Sequence, residues 1–212
     1  MVVFYSKISE KFHENIIEKY LNDFDEIFIK KTLSYRRWED AQLSLLGRRL
    51  LVEGFKEYEI SSNEINNLVY NKFGKPFLKN IPVFFNISHS GDFVICAIND
   101  KSEIGIDIEI ISDIEINDFK SQFTENEWSN IILSNNKKAT FFDYWTQKEA
   151  VVKAHGHGLT IPLNSFEILE NETIINNEKF YLQEVKIDIK YKCYVSLKEY
   201  FSEVLIKQIQ IN

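Results

Sequence analysis

Hydrophobic residues recur along this chain in two rhythms, one of period near 3.6 and one of period 2. VVFYSKI (residues 2–8) opens as a strand. SEKFHENIIEKYLNDF (9–24) sets Phe12, Ile16, Ile17, Tyr20 and Leu21 at helical spacing. Residues 34–58 predict a longer helix, with Trp38, Ala41, Leu45, Leu46 and Leu50 on one side and Ser34 as its N-cap. Basic Lys30, Lys31, Arg36 and Arg37 gather at its entrance, and a turn is expected at Gly74-Lys75-Pro76. VFFNIS (83–88) and FVICAIN (93–99), joined by HSGD, predict a hairpin with His89 in its turn. EIGIDIEI (103–110) is a further strand. TENEWSNIIL (124–133) and ATFFDYWTQKEAVVKAHG (139–156) predict helices, the first opened by a capping box of Thr124 and Glu127. A glycine-terminated turn is expected at His155-Gly156-His157, in preference to a metal pair. Residues 163–198 alternate as strands around turns such as Asn176-Asn177.

Helices precede strands up to about residue 103, and the same order then repeats. This predicts an α+β chain of two similar α/β halves in a pseudo-two-fold arrangement, divided as 1–103 and 104–212. At 212 residues, with 44% hydrophobic and 14% aromatic side chains, the chain can bury a sizeable core. The net charge of −7 speaks against a nucleic-acid partner, which a basic footprint would mark. Cys96 and Cys193 sit in apolar strand-like runs without metal spacing, so free buried thiols are expected. The first ten residues lack a secretory pattern and no apolar run reaches membrane-spanning length, so a cytoplasmic location without membrane contact is expected.

The chemistry starts at residues 103–110. Alternation puts Ile104, Ile106, Ile108 and Ile110 on one face, and Gly105, Asp107 and Glu109 on the other. Residues two apart on a strand are roughly 6.6 Å apart, so the two carboxylates can share one cation. All-oxygen ligation suits Mg²⁺, Mn²⁺ or Ca²⁺ and not zinc. Gly105 leaves room on that face for a ligand or another backbone. The alternative is a solvated edge strand with an ordinary polar face. A third acid, Glu149, lies in an otherwise apolar helix with Lys153 one turn on, where a plain surface Glu-Lys pair is the competing reading.

In order, Gly74-Lys75-Pro76, then Phe85-Asn86-Ile87-Ser88-His89-Ser90, then Ile104-Gly105-Ile106-Asp107-Ile108-Glu109, then Trp145-x-x-Lys148-Glu149-Ala150-x-x-Lys153 resemble the 4'-phosphopantetheinyl transferases of the surfactin-type (Sfp-like) class. The likeness extends into Gly156-His157-Gly158-Leu159 and upstream into residues 39–47, covering roughly residues 30–165. The resemblance implies the 4'-phosphopantetheinyl transferase fold. It also implies transfer of the 4'-phosphopantetheine arm of coenzyme A to a serine of an apo carrier protein (acyl, peptidyl or aryl), releasing 3',5'-ADP. On it, Asp107, Glu109 and Glu149 resemble the ligands of Mg²⁺, with Mn²⁺ the alternative. Glu149 matches the position of the general base, and Lys153 would stabilise phosphate charge. Lys75, Ser88 and His89 resemble phosphate contacts of coenzyme A. Lys30, Lys31, Arg36 and Ser44 are further candidates for its 3'-phosphate and adenine. Family members often carry a basic residue where Leu43 stands here, a departure from the pattern. Phe123 and Trp128 lie where the family meets its carrier, with core packing expected for at least one of them. His13 is expected on a solvated helix face. Two internal halves favour a monomer. The rival functions are a Mg²⁺-dependent phosphodiester or pyrophosphate hydrolase, a non-catalytic coenzyme A-binding relative, and a purely structural interaction protein.

Overall fold

A computed structural model describes residues 1–211, apart from the side chain of Leu159. Asn212, the last residue of the expected second half, and that leucine side chain in the resembling GHGL run lie outside what is described. The strands are β1 (Val2–Lys7), β2 (Val69–Tyr70), β3 (Pro76–Phe77), β4 (Phe84–Ser90), β5 (Phe93–Asn99), β6 (Ile104–Ile110), β7 (Glu172–Ile175), β8 (Glu178–Glu184), β9 (Tyr191–Leu197) and β10 (Leu205–Gln208). The helices are α1 (His13–Tyr20), α2 (Glu26–Leu33), α3 (Trp38–Glu57), α4 (Glu125–Leu133) and α5 (Lys137–His155).

The chain is α+β, and one arrangement occurs twice. A strand leads through helices into a hairpin whose second strand pairs back with the first. This gives the order β1-β5-β4 in one sheet and β6-β9-β8 in the other. The long helix of each set, α3 or α5, lies against its own sheet. The chain end breaks the division at residue 104, because β10 runs parallel to β1 in the first sheet, with Val2 opposite Leu205.

Strand alternation builds the core. Val94, Cys96 and Ile98 pack with Leu45, Leu46, Leu50 and Phe55 of α3. The intervening Phe93, Ile95 and Ala97 join Ile104, Ile106 and Ile108 in a cluster shared by both sheets. The isoleucine face read from the sequence is therefore the joint between the halves. Both cysteines are free and buried.

Several elements differ from the sequence reading. A separate helix, α2, starts at Asp25, whose Oδ1 accepts the Phe28 N–H at 2.9 Å. Ser34 closes α2 and does not open α3, and Lys30 and Lys31 sit in the last turn of α2. β4 continues through Ser90, so only Gly91 and Asp92 form the hairpin turn, and His89 is a strand residue. Gly91 has φ +53°, a conformation that costs glycine little. The capping box at Thr124 and Glu127 forms as read, and Gly156 ends α5 at φ +80°. Asn176 and Asn177 both have positive φ in the two-residue turn between β7 and β8.

Two contacts fix α5. A Cβ on Gly105 would lie 2.0 Å from the Ala150 carbonyl oxygen and 2.3 Å from the Ala154 nitrogen. The space that this glycine leaves is filled by the backbone of α5. Next, Lys148 and Glu127 form an ion pair at 2.8 Å with side chains only 0% and 1% exposed. Lys148 Nζ also donates to the Leu163 and Phe166 carbonyls, and Glu127 Oε1 accepts the Ile168 N–H. Burial pulls the Lys148 pKa down, and Glu127 opposes that pull.

Two outcomes follow from these contacts. Gly105→Ala must displace α5 and should cost about 3 kcal/mol, as overpacking does, in equilibrium denaturant unfolding. Lys148→Met strands the Glu127 charge in the dry interior and should cost about 3–5 kcal/mol. Neutralising the partner as well, in Glu127→Gln/Lys148→Met, should recover part of that loss in the same measurement.

Candidate active site

β4 and β6 lie side by side at the seam, although neither ladder joins them. Asn86, Ser88 and Ser90 of β4 alternate toward β6. Ser88 Oγ donates to Asp107 Oδ1 at 2.9 Å, and Ser90 Oγ donates to Glu109 Oε2 at 2.7 Å. From the other side, α5 lowers Glu149 and Lys153 onto the same patch, because Gly105 admits the helix backbone. Lys153 Nζ donates to Asp107 Oδ1 at 2.5 Å and to Ser88 Oγ at 3.0 Å. Lys153 thus pairs with Asp107 and not with Glu149, so the helix-surface pair does not form.

The carboxylates are electrically coupled. Burial pushes the Asp107 carboxyl up, against the pull of the Lys153 ammonium and the Ser88 hydroxyl. Burial also raises Glu109 and Glu149, and in each the Asp107 charge adds to the rise. Like charges in a partly dry site repel unless a cation lies among them.

The expected metal trio is gathered on one patch but not closed. Among the described residues, no three His, Cys, Asp or Glu side chains converge tightly enough to hold an ion as they stand. The Lys153 ammonium lies beside Asp107 and offsets part of the charge there. Even so, Asp107 Oδ2 is buried without a hydrogen-bond partner. A buried carboxylate oxygen with spare lone pairs, flanked by two more carboxylates, is a donor set suited to a hard divalent cation.

The proposed phosphate contacts divide among four places. Lys31, Ser44 and His89 line a cleft of about 750 Å³ between α2, α3 and β4. Ser88 faces the acids, since it neighbours His89 on a strand and points the opposite way. Lys75 lines a second cavity of about 450 Å³, where its Nζ donates to Glu103 at 2.5 Å and to the Ile104 carbonyl at 3.1 Å. Lys30 pairs with Glu26 at 3.6 Å on the exposed face of α2, and Arg36 is exposed in the connection to α3. Neither lines the cleft.

Sequence reading missed Arg48 and Tyr70, which also line the cleft and are bonded to each other at 3.2 Å. A signal for Arg48 existed, since Asp40, Ser44 and Arg48 recur every four residues and share one helix side. Leu43 is buried on the cleft wall, and Gln42 is fully buried, where it accepts the Ser9 N–H at 2.6 Å. His13 is not simply solvated, because it packs edge-on against Trp38 and lies 3.4 Å from Gln42. Phe123 is a core residue among Phe119, Phe141 and Trp145, while Trp128 stays half-buried beside it.

Comparison with known proteins fits this geometry. The profile described as ACPS, the 4'-phosphopantetheinyl transferase superfamily, matches residues 103–204, which include all three acids and Lys153. The 4'-phosphopantetheinyl transferase gsp of Aneurinibacillus migulanus is 41% identical over 143 residues, 66% of this chain and 59% of that protein. The 4'-phosphopantetheinyl transferase Sfp of Bacillus subtilis (strain 168) is 37% identical over 134 residues, 61% of this chain and 59% of that protein. The chain therefore spans somewhat under two thirds of the length of these curated relatives. The solved holo-[acyl-carrier-protein] synthase (AcpS) of Thermotoga maritima covers 45% of this chain and 61% of its own. Its 16% identity and TM-score of 0.36 make it too slight a likeness to argue from. With its profile match over the acid-bearing half and relatives such as gsp and Sfp, the chain is similar to the 4'-phosphopantetheinyl transferase superfamily and, among its members, to those of the Sfp type.

Proposed function

We propose that this protein transfers the 4'-phosphopantetheine group of coenzyme A to a serine hydroxyl of an apo carrier protein, with Mg²⁺ as cofactor. The observation that carries this reading is the meeting of Asp107, Glu109, Glu149 and Lys153 at the seam, beside a cleft that offers basic and hydroxyl groups. The family and its curated relatives support the reaction class.

Asp107, Glu109 and Glu149 would hold the Mg²⁺, which when bound would neutralise charge on the diphosphate of coenzyme A. Lys31, Ser44, Arg48 and His89 line the cleft that would receive the nucleotide end. Glu149, brought by α5 to the patch that holds Asp107 and Lys153, would take the proton from the carrier serine. The serine oxygen forms the new O–P bond as the bond from that phosphorus to the bridging diphosphate oxygen breaks. Lys153, whose ammonium is already held at the acids, then balances charge on the departing 3',5'-ADP. Two halves within one chain fit a monomer, and the reading places the work in the cytoplasm.

Incubation with coenzyme A, Mg²⁺ and a panel of apo carriers tests the reaction by intact mass. The expected result is a carrier heavier by one phosphopantetheine, with 3',5'-ADP formed in step. Steady 3',5'-ADP release without any carrier would instead identify a hydrolase. Glu149→Gln should lower kcat by about 10²–10⁴-fold, as removal of a general base does, while the melting curve stays cooperative. Asp107→Asn should likewise abolish transfer, and wild-type turnover in either variant defeats the site assignment. Because the chain carries −7, docking of an acidic carrier leans on apolar contacts. Its carrier KM should therefore change only modestly between low and physiological salt, and a steep dependence contradicts that view.

A further inference from the structure

β4 meets β6 through side chains where a backbone ladder would otherwise run. Asn86 Oδ1 accepts the Ile106 N–H at 2.9 Å, and Ser90 Oγ accepts the Ile110 N–H at 3.1 Å. Each serine also reaches one acid, Ser88 to Asp107 and Ser90 to Glu109, with the same sequence offset of 19. A constant offset means that the two strands run parallel and in register across the gap. His89, between the serines, points the other way into the cleft. A hydroxyl suits this task because it donates and accepts at once on a short side chain.

We propose that Ser90 is a positioning residue, fixing the Glu109 carboxylate for cation binding. The inference rests on the reading of the acids as a divalent-cation site. Ser90 is tied to β6 by accepting the Ile110 N–H, so its own hydrogen is directed at Glu109 Oε2. Glu109 is only half-buried, and a long side chain that loses its anchoring bond regains rotamer freedom. Ordering it again would fall on the binding of the cation. Ser88 holds Asp107 in the same manner but shares it with Lys153, so its removal would disturb two partners. Ser90 bonds to Glu109 and to the β6 backbone, which makes it the cleaner probe. Partners that orient metal-binding side chains typically contribute about 10–100-fold to metal affinity.

Mn²⁺ is the probe, followed by electron paramagnetic resonance in the full chain, with and without coenzyme A. Ser90→Ala should weaken Mn²⁺ binding by about tenfold or more, and Ser90→Thr, which keeps the hydroxyl, should restore it. The kcat for transfer should fall with Mn²⁺ affinity in Ser90→Ala while carrier KM holds steady. A purely structural role would lower the melting temperature and leave Mn²⁺ affinity unchanged, and that result overturns the proposal. Should Ser90→Ala not fold, Ser90→Cys, with its weaker donor, must bind Mn²⁺ less tightly than the parent, and equal affinity again overturns it. A parent protein that binds no Mn²⁺ in either condition defeats the cation-site reading itself. A parent that binds it no better than Ser90→Ala defeats only the role of Ser90.

Discussion

The close approach of α5 to β6 at Gly105 is the constraint from which the site follows. Any side chain at that position would enter the backbone of α5 at Ala150 and Ala154. With glycine there, Glu149 and Lys153 descend to the level of Asp107 and Glu109. The buried Lys148–Glu127 pair then ties α4 and the 163–168 segment to the same helix. Charge buried this deeply is tolerated because each partner is bonded several times. Glu149 and Lys148 are sequence neighbours with opposite duties, one turned to the acids and one locked into the interior.

The acid patch is held together by groups that a surface would not need. Burial raises all three carboxyls, and Lys153 offsets part of that cost at Asp107. The orphaned Asp107 Oδ2 is left over, and an unsatisfied buried oxygen is expensive unless something else binds it. Across the seam, the cleft beside α3 is walled by Lys31, Ser44, Arg48 and His89. Its basic groups come from different elements, so the cleft has no counterpart as a single run of sequence.

Much of the fold was legible because its signals are local. Period 2 placed Ile104, Ile106 and Ile108 on a core face, and the structure makes that face the joint of the two sheets. The Thr124–Glu127 box and Gly156 marked helix ends through backbone groups that only nearby residues can satisfy. The missed helix α2 is short, and its Asp25 cap lay in a stretch read for its charge. The hairpin turn was placed two residues early because serine and histidine read equally well as turn or strand.

The sequence by itself determined which residues share a face, since alternation along one strand or helix is fixed by backbone geometry. It put Asp107 with Glu109, and Glu149 with Lys153, and four motifs in register marked the family. Only the tertiary structure decided what each face meets. It gave Lys153 to Asp107, Lys75 to Glu103, and the two serines beside His89 to two different acids. These partners lie 19 to 46 residues apart in the chain. Their pairing depends on how closely whole elements pack, and one missing side chain, at Gly105, sets that distance.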